Sequence, residues 1–438
     1  MLEKIKLSIE KIDSLSQIKP LKVISHYDTD GITSAAIFSR ALQRWGKKFS
    51  LEIVKSLDES YISNLSDNEV LIFLDLASGS LDHLKKKNTE VFIFDHHEVI
   101  NEIPKNVFMV NPLLEKGDII SGAGISYLFA KALSLRNKDL ANLAVIGMVG
   151  DLLEKELNKT YGEIIADAGC IVKKSLLLYP STKPLDKVLE YSSNFYIPGV
   201  TGSYKGVIEL LRDANISKED GKFKSIYELS ENEMGALITA IMLRFVGEYK
   251  PDELIGNIYL IKFLNKLEDT REQSALINAC SRMGYPGVAL GFCLGNKKFK
   301  EEAERIYIEY KQHIAGALKY VGELDKISGR DYTIINAKDN VRDTIIGTVA
   351  SILSHSPIYS QGTIIVALAY NEDKIKVSAR IVGKEGRNVR DILNRAVVQL
   401  GGEVGGHPNA AGCLISKEHE NLFIEELKKV LDVQLTMV

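Results

Sequence analysis

An α/β fold is the class this sequence predicts: a doubly wound, mostly parallel sheet, then a helical middle region, then a smaller C-terminal α/β domain. Three observations predict it. From about residue 20 to 150, short apolar β-rich runs alternate with amphipathic stretches; helical segments punctuated by breakers fill the middle; and the alternation returns after Gly329. At 438 residues the chain exceeds what one compact core accommodates. The divisions are expected at 1–155, 156–325 and 326–438.

In the first part "KVISH" reads as a strand and "ITSAAIFSRALQRWG" as the helix that follows it. "FSLEIV", "EVLIFLDL", "EVFIFDHHE" and "VFMVNP" read as further strands, before the helical "SGAGISYLFAKAL". The middle reads as "YGEIIADAGCIVKKSLLLY", "ENEMGALITAIMLRFVGEY", "DELIGNIYLIKFLNKLEDTREQSALINACSRMG" and "KEEAERIYIEYKQHIAGALKYVGEL", all helical, separated by "YIPGVTG" and "GYPGVALG". The last part alternates again through "YTIINA", "TIIGTVASILSH", "GTIIVALAY", "KIKVSARI", "VRDILNRAVVQLG" and "GCLIS". No internal repeat is visible.

Composition is that of ordinary globular matter, with 45% hydrophobic and 26% charged residues. A net charge of −3 argues against wholesale electrostatic wrapping of nucleic acid, though it leaves room for a local basic groove. Cys170, Cys280, Cys293 and Cys413 are too scattered for a zinc site or a disulfide framework and read as thiols of a reducing compartment. The opening "MLEKIKLSIEKIDSL" lacks the apolar core of a secretion signal, and no run reaches spanning length, so a cytoplasmic protein is expected.

Polar residues gather where the first strands should end. "VISHYDTDGIT" places His26, Asp28 and Asp30 after an apolar strand; "FLDLASG" places Asp75; "FIFDHHE" ends in Asp95, His96, His97 and Glu98; "LAVIGMVGD" ends in Asp151. Taken singly, each reads as a turn or helix cap. Parallel strands, however, deliver their carboxyl ends to one rim, where ligands of such sheets sit. Four carboxylates and an imidazole in one crevice require cations, since an isolated buried carboxylate is costly. Oxygen-rich ligation with imidazole suits Mn²⁺ or Mg²⁺. The donor count fits two ions, and a pair about 3.5–4 Å apart is the arrangement of metal-assisted phosphoester hydrolysis.

"HYDTDG", "LDLA", "DHHE" and "GMVGD" match, in order and spacing, the four motifs of the DHH phosphoesterase superfamily. "GGHPNAAG" at 405–412, preceded by "VSARIVGKEGRNVRDIL", is similar to its associated DHHA1 substrate domain. The chain resembles the RecJ-like single-strand nucleases, the archaeal ones above all, because "DTREQSALINACSRMG" also resembles a segment they carry. The resemblance implies a two-Mn²⁺ site, with Mg²⁺ as a substitute. Asp28 would bind one ion, Asp30 the other, and Asp75 both; His96 and Asp151 would complete the shells. His97 would contact the scissile phosphate and Asp95 would orient an imidazole. His26 departs from the pattern: many relatives place a histidine four residues before the first aspartate, where this chain has Ile24, and direct ligation by His26 stays open.

Gly405 and Gly406 would let a phosphate approach the main chain, with His407 and Arg380 on it and Asn388 and Arg390 nearby; the plain alternative is a loop before "GCLIS". Three functional readings follow. The first is an exonuclease of single-stranded DNA or RNA in replication or repair. The second is a phosphodiesterase of short oligonucleotides or cyclic dinucleotides. The third is a replisome scaffold that binds partners such as GINS, a role that intact acidic motifs disfavour. "SGAG" at 121–124 opens a helix whose amides could hold an anion, or forms a tight turn. Arg271, Asn278 and Arg282 share a helical face that could line a nucleic-acid path.

Overall fold

The computed structural model describes every residue except 116, 156, 193–196, 245–253, 357, 384, 401–403 and 433–438. The chain divides into two compact units, Met1–Tyr307 and Ile308–Val438.

In the first unit β1 (Leu21–His26), β2 (Phe49–Val54), β3 (Val70–Leu74), β4 (Val91–Phe94) and β5 (Val107–Val110) form one sheet in the order β2-β1-β3-β4-β5. Every pairing is parallel. The central strands "VLIFL" and "VFIF" are buried at every position, as strands covered on both faces must be. On one face Phe38, from the helix Thr29–Arg44, stacks on Phe129, from the helix Gly122–Leu133, with ring centroids 4.4 Å apart. The strand order reverses direction between β1 and β3. In a sheet of this order the crevice beyond those two carboxyl ends is where a ligand fits.

The middle is less helical than its sequence suggests. β6 (Ile171–Leu176), β7 (Ile255–Phe263) and β8 (Lys266–Asp269) form an antiparallel sheet in the order β6-β7-β8. The stretches read as single helices, "YGEIIADAGCIVKKSLLLY" and "DELIGNIYLIKFLNKLEDTREQSALINACSRMG", each divide into strand and helix. Leu264 and Asn265 both take left-handed backbone (φ 50° and 65°), and a two-residue hairpin turn therefore reverses the chain between β7 and β8. The helix Glu231–Met242 is as expected, and the end of its predicted extent, from residue 245, lies outside the described residues.

In the second unit β9 (Ile327–Ser328), β10 (Tyr332–Asn336), β11 (Ile364–Asn371), β12 (Lys374–Ile381), β13 (Val404–His407) and β14 (Ala410–Ser416) form a six-stranded sheet in the order β13-β14-β12-β11-β10-β9. Only β10 with β11 is parallel. Val377, Ala379, Ala411 and Cys413 on one face pack with Val389, Leu393, Phe423 and Leu427 of the helices Val389–Val397 and Glu420–Asp432. Cys280, Cys293 and Cys413 are buried free thiols. No helix among the described residues is long and apolar enough to cross a membrane.

Candidate metal centre

β1 ends where its chain turns into the first helix of the sheet, and that turn admits no side chain at residue 31. Asp28 caps the helix by accepting a hydrogen bond from Gly31 N at 3.0 Å. A Cβ on Gly31 would lie 2.2 Å from the His26 carbonyl oxygen, so only glycine lets the strand end and the helix begin this closely. Two residues past the cap, Asp30 points inward and is fully buried. Its oxygens accept from Gly122 N at 2.6 Å and Ala123 N at 3.0 Å, the free amides of the helix Gly122–Leu133. Of the two readings left open for "SGAG", an anion site or a tight turn, the amides hold an anion, and it is Asp30 itself at a helix N-terminus.

Asp75 follows β3 in left-handed backbone, φ 59°. One of its oxygens lies 3.6 Å from His26 Nδ1 and the other 3.2 Å from His96 Nε2. On the first side, Asp28 is 2.9 Å from the same His26 nitrogen. On the second, Asp151 is 3.0 Å and Asp30 3.8 Å from His96 Nε2. Donor atoms of His26, Asp28 and Asp75 all lie within 4.8 Å of one another, as do those of Asp30, His96 and Asp151. His97 stands beside them with Nδ1 2.7 Å from Asp95 Oδ1, and Asp95 also accepts from Ser78 N at 3.0 Å and His96 N at 2.8 Å.

The charges of this crevice are ill matched. Burial raises the Asp30 carboxyl well above the usual range, and the Asp75 and Asp151 charges push the same way. Burial likewise raises Asp151. Burial would lower the two imidazoles, yet Asp28 carries His26 well above its ordinary value, and Asp151 and Asp75 push His96 up to about 12. Against its own burial, Asp28 is held well below the carboxylate range by His26, and Asp95 similarly by His97. Protons on imidazoles are therefore the only positive charge the cluster itself supplies.

Geometry decides how well a cation would fit in their place. His26 Nδ1, His96 Nε2 and both Asp75 carboxylate oxygens are buried and, apart from the close imidazole–carboxylate contacts within the cluster, have no hydrogen-bond partner. Such atoms are rare in a folded interior, because each leaves a desolvated polar group unanswered. Here they converge, with Asp75 between two imidazoles. Oxygen and imidazole nitrogen without sulfur is the donor set of Mn²⁺ or Mg²⁺, and the residues present fit such ions.

Sequence comparison agrees with the geometry. Family models match three segments: the DHH family N-terminal domain at residues 21–148, the DHH-CID domain at 178–258 and the DHHA1 domain at 330–432. The chain is a RecJ-like member of the DHH/DHHA1 superfamily. An uncharacterized protein of Methanocaldococcus jannaschii is 28% identical to this DHH/DHHA1 chain over 466 residues, covering 99% of it and all of the relative. The single-stranded-DNA-specific exonuclease RecJ of Thermus thermophilus is 27% identical over 157 residues, which is 32% of this chain and only 23% of that protein. Among solved structures, an exonuclease RecJ bound to manganese superposes with a TM-score of 0.60 at 18% identity, covering 99% of this chain and 94% of that one. CDC45 from Entamoeba histolytica superposes with a TM-score of 0.64 at 13% identity, covering 97% and 98%. At these identities the likeness is one of fold.

The structure corrects several details of the DHH/DHHA1 reading. Asp151 does not end a strand: it caps the carboxyl end of the helix Ala141–Gly150, whose packing on the helix Thr29–Arg44 brings it to the rim. His26 stands beside Asp28 and Asp75 despite its displaced position in the motif. Arg271 is not an open nucleic-acid contact, because its guanidinium pairs with buried Glu154 at 2.9 Å. Asn278 is likewise engaged, accepting from Thr29 N at 3.2 Å.

On the C-terminal sheet, Arg380 pairs across β12 and β14 with Ala410, which pairs with His407 on β13. Directly paired residues share a face, so Arg380 and His407 lie in one row. Gly405 falls in the next such row, opposite Gly412. Gly406 has φ 119°, and a Cβ there would come within 2.4 Å of Ala410 O. Arg380 already donates to Ser351 Oγ at 2.9 Å and Ala379 O at 2.8 Å, while His407 is exposed. Asn388 caps its own helix, and that helix packs on the face opposite to Arg380. Val389 N donates to Pro408 O at 2.8 Å, so the start of that helix, with Asn388 and Arg390 on it, lies beside the turn that follows His407. Gly401 to Glu403 of the glycine-rich stretch lie outside the described residues.

Gly122 and Gly147 belong to the centre, although the sequence marks their motifs and not these two residues as site positions. A Cβ on Gly122 would lie 2.7 Å from Asp75 Cβ, and one on Gly147 2.5 Å from Asp30 Oδ1. The small residues of "SGAG" and "GMVGD" are the signal, since only they let two helices close around a carboxylate.

Proposed function

We propose that this protein is an exonuclease that hydrolyses phosphodiester bonds of single-stranded DNA or RNA with two Mn²⁺ ions, for which Mg²⁺ can substitute, in replication or repair. The observation that carries the reading is Asp75, whose two buried oxygens meet only imidazoles, His26 on one side and His96 on the other. His26, Asp28 and Asp75 would hold one cation; Asp30, His96 and Asp151, with Asp75, would hold the other. Bound there, divalent cations would neutralise the carboxylates and lend Lewis acidity toward a phosphodiester.

The remaining side chains have definable tasks. Asp95 accepts a hydrogen bond from His97 Nδ1, which leaves Nε2 for a phosphate oxygen. The same hydrogen bond raises the His97 pKa, so the ring can bring a charge-assisted donor to the phosphate. Hydrolysis joins a water oxygen to phosphorus, breaks one ester P–O bond and returns a proton to the departing alcohol. On the C-terminal sheet, the row of Arg380 and His407 beside Gly405 would take the phosphate backbone, with Gly406, Asn388 and Arg390 in supporting positions. A docking role toward a replication factor such as GINS can coexist with this chemistry, and the fold shared with CDC45 supports it.

End-labelled single strands digested with Mn²⁺ test the reading. The parent protein shortens them progressively, and Asp75→Ala leaves them intact. Equal activity of the two proteins refutes it. Faster turnover of two-nucleotide than of twenty-nucleotide substrates redirects it to short oligonucleotides.

A further inference from the structure

Leu152 stands immediately after Asp151, in a place where neither the turn nor the core calls for leucine. The helix Ala141–Gly150 closes with Asp151 N donating to Gly147 O at 3.0 Å and Leu152 N to Val149 O at 3.2 Å. Leu152 then takes φ 60°, the left-handed conformation that glycine normally supplies after a helix. Its side chain gains nothing from the interior, because it is 70% exposed. The residues around it are different: Val149 is buried and Leu153 packs partly into the core. Asp75 at 59°, in the centre, and Ala77 at 88°, two residues on, share this conformation, and strain of this kind can hold a side chain in a set direction.

The centre is open to solvent at its rim, at Asp28, His97 and also Asp151. The Asp151 side chain is 21% exposed, against 0% for Asp30 and 1% for Asp75. Consecutive Cα atoms are about 3.8 Å apart, so the leucine stands at that mouth, one peptide from a carboxylate facing His96. A phosphodiester held by the centre brings two nucleosides past the opening, and their apolar surfaces are the base faces and the sugar.

We propose that Leu152 is a substrate contact, packing against the base or sugar of the nucleotide next to the phosphate being cleaved; the inference rests on the nuclease reading above. It supplies contact without reading sequence, since every base has an apolar face.

The test uses the full chain, Leu152→Gly and Leu152→Ala, Mn²⁺, and two end-labelled single strands, one intact and one abasic at its terminal nucleotides. Leu152→Gly relieves the backbone and Leu152→Ala keeps its strain, so Tm of the first equals or exceeds that of the parent. Both variants nevertheless raise KM for the intact strand about three- to tenfold. The parent's preference for the intact over the abasic strand falls toward one in both. Parent activity with KM unchanged in both variants overturns this inference alone. A KM rise that is equal on intact and abasic strands overturns it too. A parent that binds Mn²⁺ and cuts neither strand overturns the nuclease reading, and the inference with it.

Discussion

Asp75 and Arg380 are both charged groups at sites marked by motifs, and the protein treats them differently. Asp75 is buried with only the His26 and His96 imidazoles against its oxygens, among acids whose carboxyls burial raises. Arg380 lies in a sheet row beside exposed His407 and already donates to Ser351 and the Ala379 carbonyl. On the proposed reading the first site is completed by a cation, whereas the second has its side chains already held by the fold. Metal should therefore govern the stability of the N-terminal unit, whereas the C-terminal sheet should be indifferent to it.

The largest break in this contrast comes from Asp75→Asn. Activity on single strands should fall by about 10³-fold or more, since the residue shared by both halves of the centre is lost. The Mn²⁺-induced rise in Tm, read by scanning calorimetry, should disappear, while the metal-free Tm stays level or rises with one surplus buried charge removed.

Gly147→Ala comes next. Its Cβ would meet Ala123 Cβ at 2.4 Å and Asp30 Oδ1 at 2.5 Å. The helices must part, at a cost of about 1–3 kcal/mol in denaturant unfolding. Mn²⁺ affinity by titration calorimetry should drop about 10- to 100-fold as Asp30 is displaced.

Metal-free protein sharpens the comparison through pH. The raised pKa of His96, pushed up to about 12, and of His26 mean that the native state holds their protons more tightly than the unfolded chain does. Their contribution is complete below about pH 6.5 and is lost as pH rises through the folded values. Raised Asp30 and Asp151 act in the same direction, so stability with EDTA should decline from about pH 6.5 to 9, and Mn²⁺ should reverse that slope because its binding releases protons. A flat EDTA profile would contradict the charge imbalance described here.

The smallest effect is expected on the C-terminal sheet. His407→Ala should raise KM for single strands about tenfold, the loss of one charge-assisted contact, with Tm and Mn²⁺ affinity unmoved. A loss of Mn²⁺ affinity in this variant would erase the distinction between the two sites.

Much of this was legible in the sequence where one physical rule acted alone. Strands such as "VLIFL", buried on both faces, announce a parallel sheet, and acids after several of them announce a shared rim. Legibility failed where tertiary packing supplied the answer. "IGNIYLIKF" has apolar residues at spacings that suit helix or strand, and only the two-residue turn at Leu264 and Asn265 decides. Asp151 reaches the rim from a helix, which no strand rule anticipates. His26 occupies the first half of the centre from a position the family pattern does not favour, because distance in space and distance along the motif are separate quantities.

Asp30 is anchored by main-chain amides of the helix Gly122–Leu133. Truncating a neighbouring side chain leaves those amides in place, so the anchor fails only when a replacement crowds the carboxylate, as at Gly147, or removes an amide, as proline would. The coupling also runs outward: a shift of that helix relocates a prospective ligand by the same amount. Anything that leans on the helix from outside would thereby acquire a lever on an ion held by Asp30.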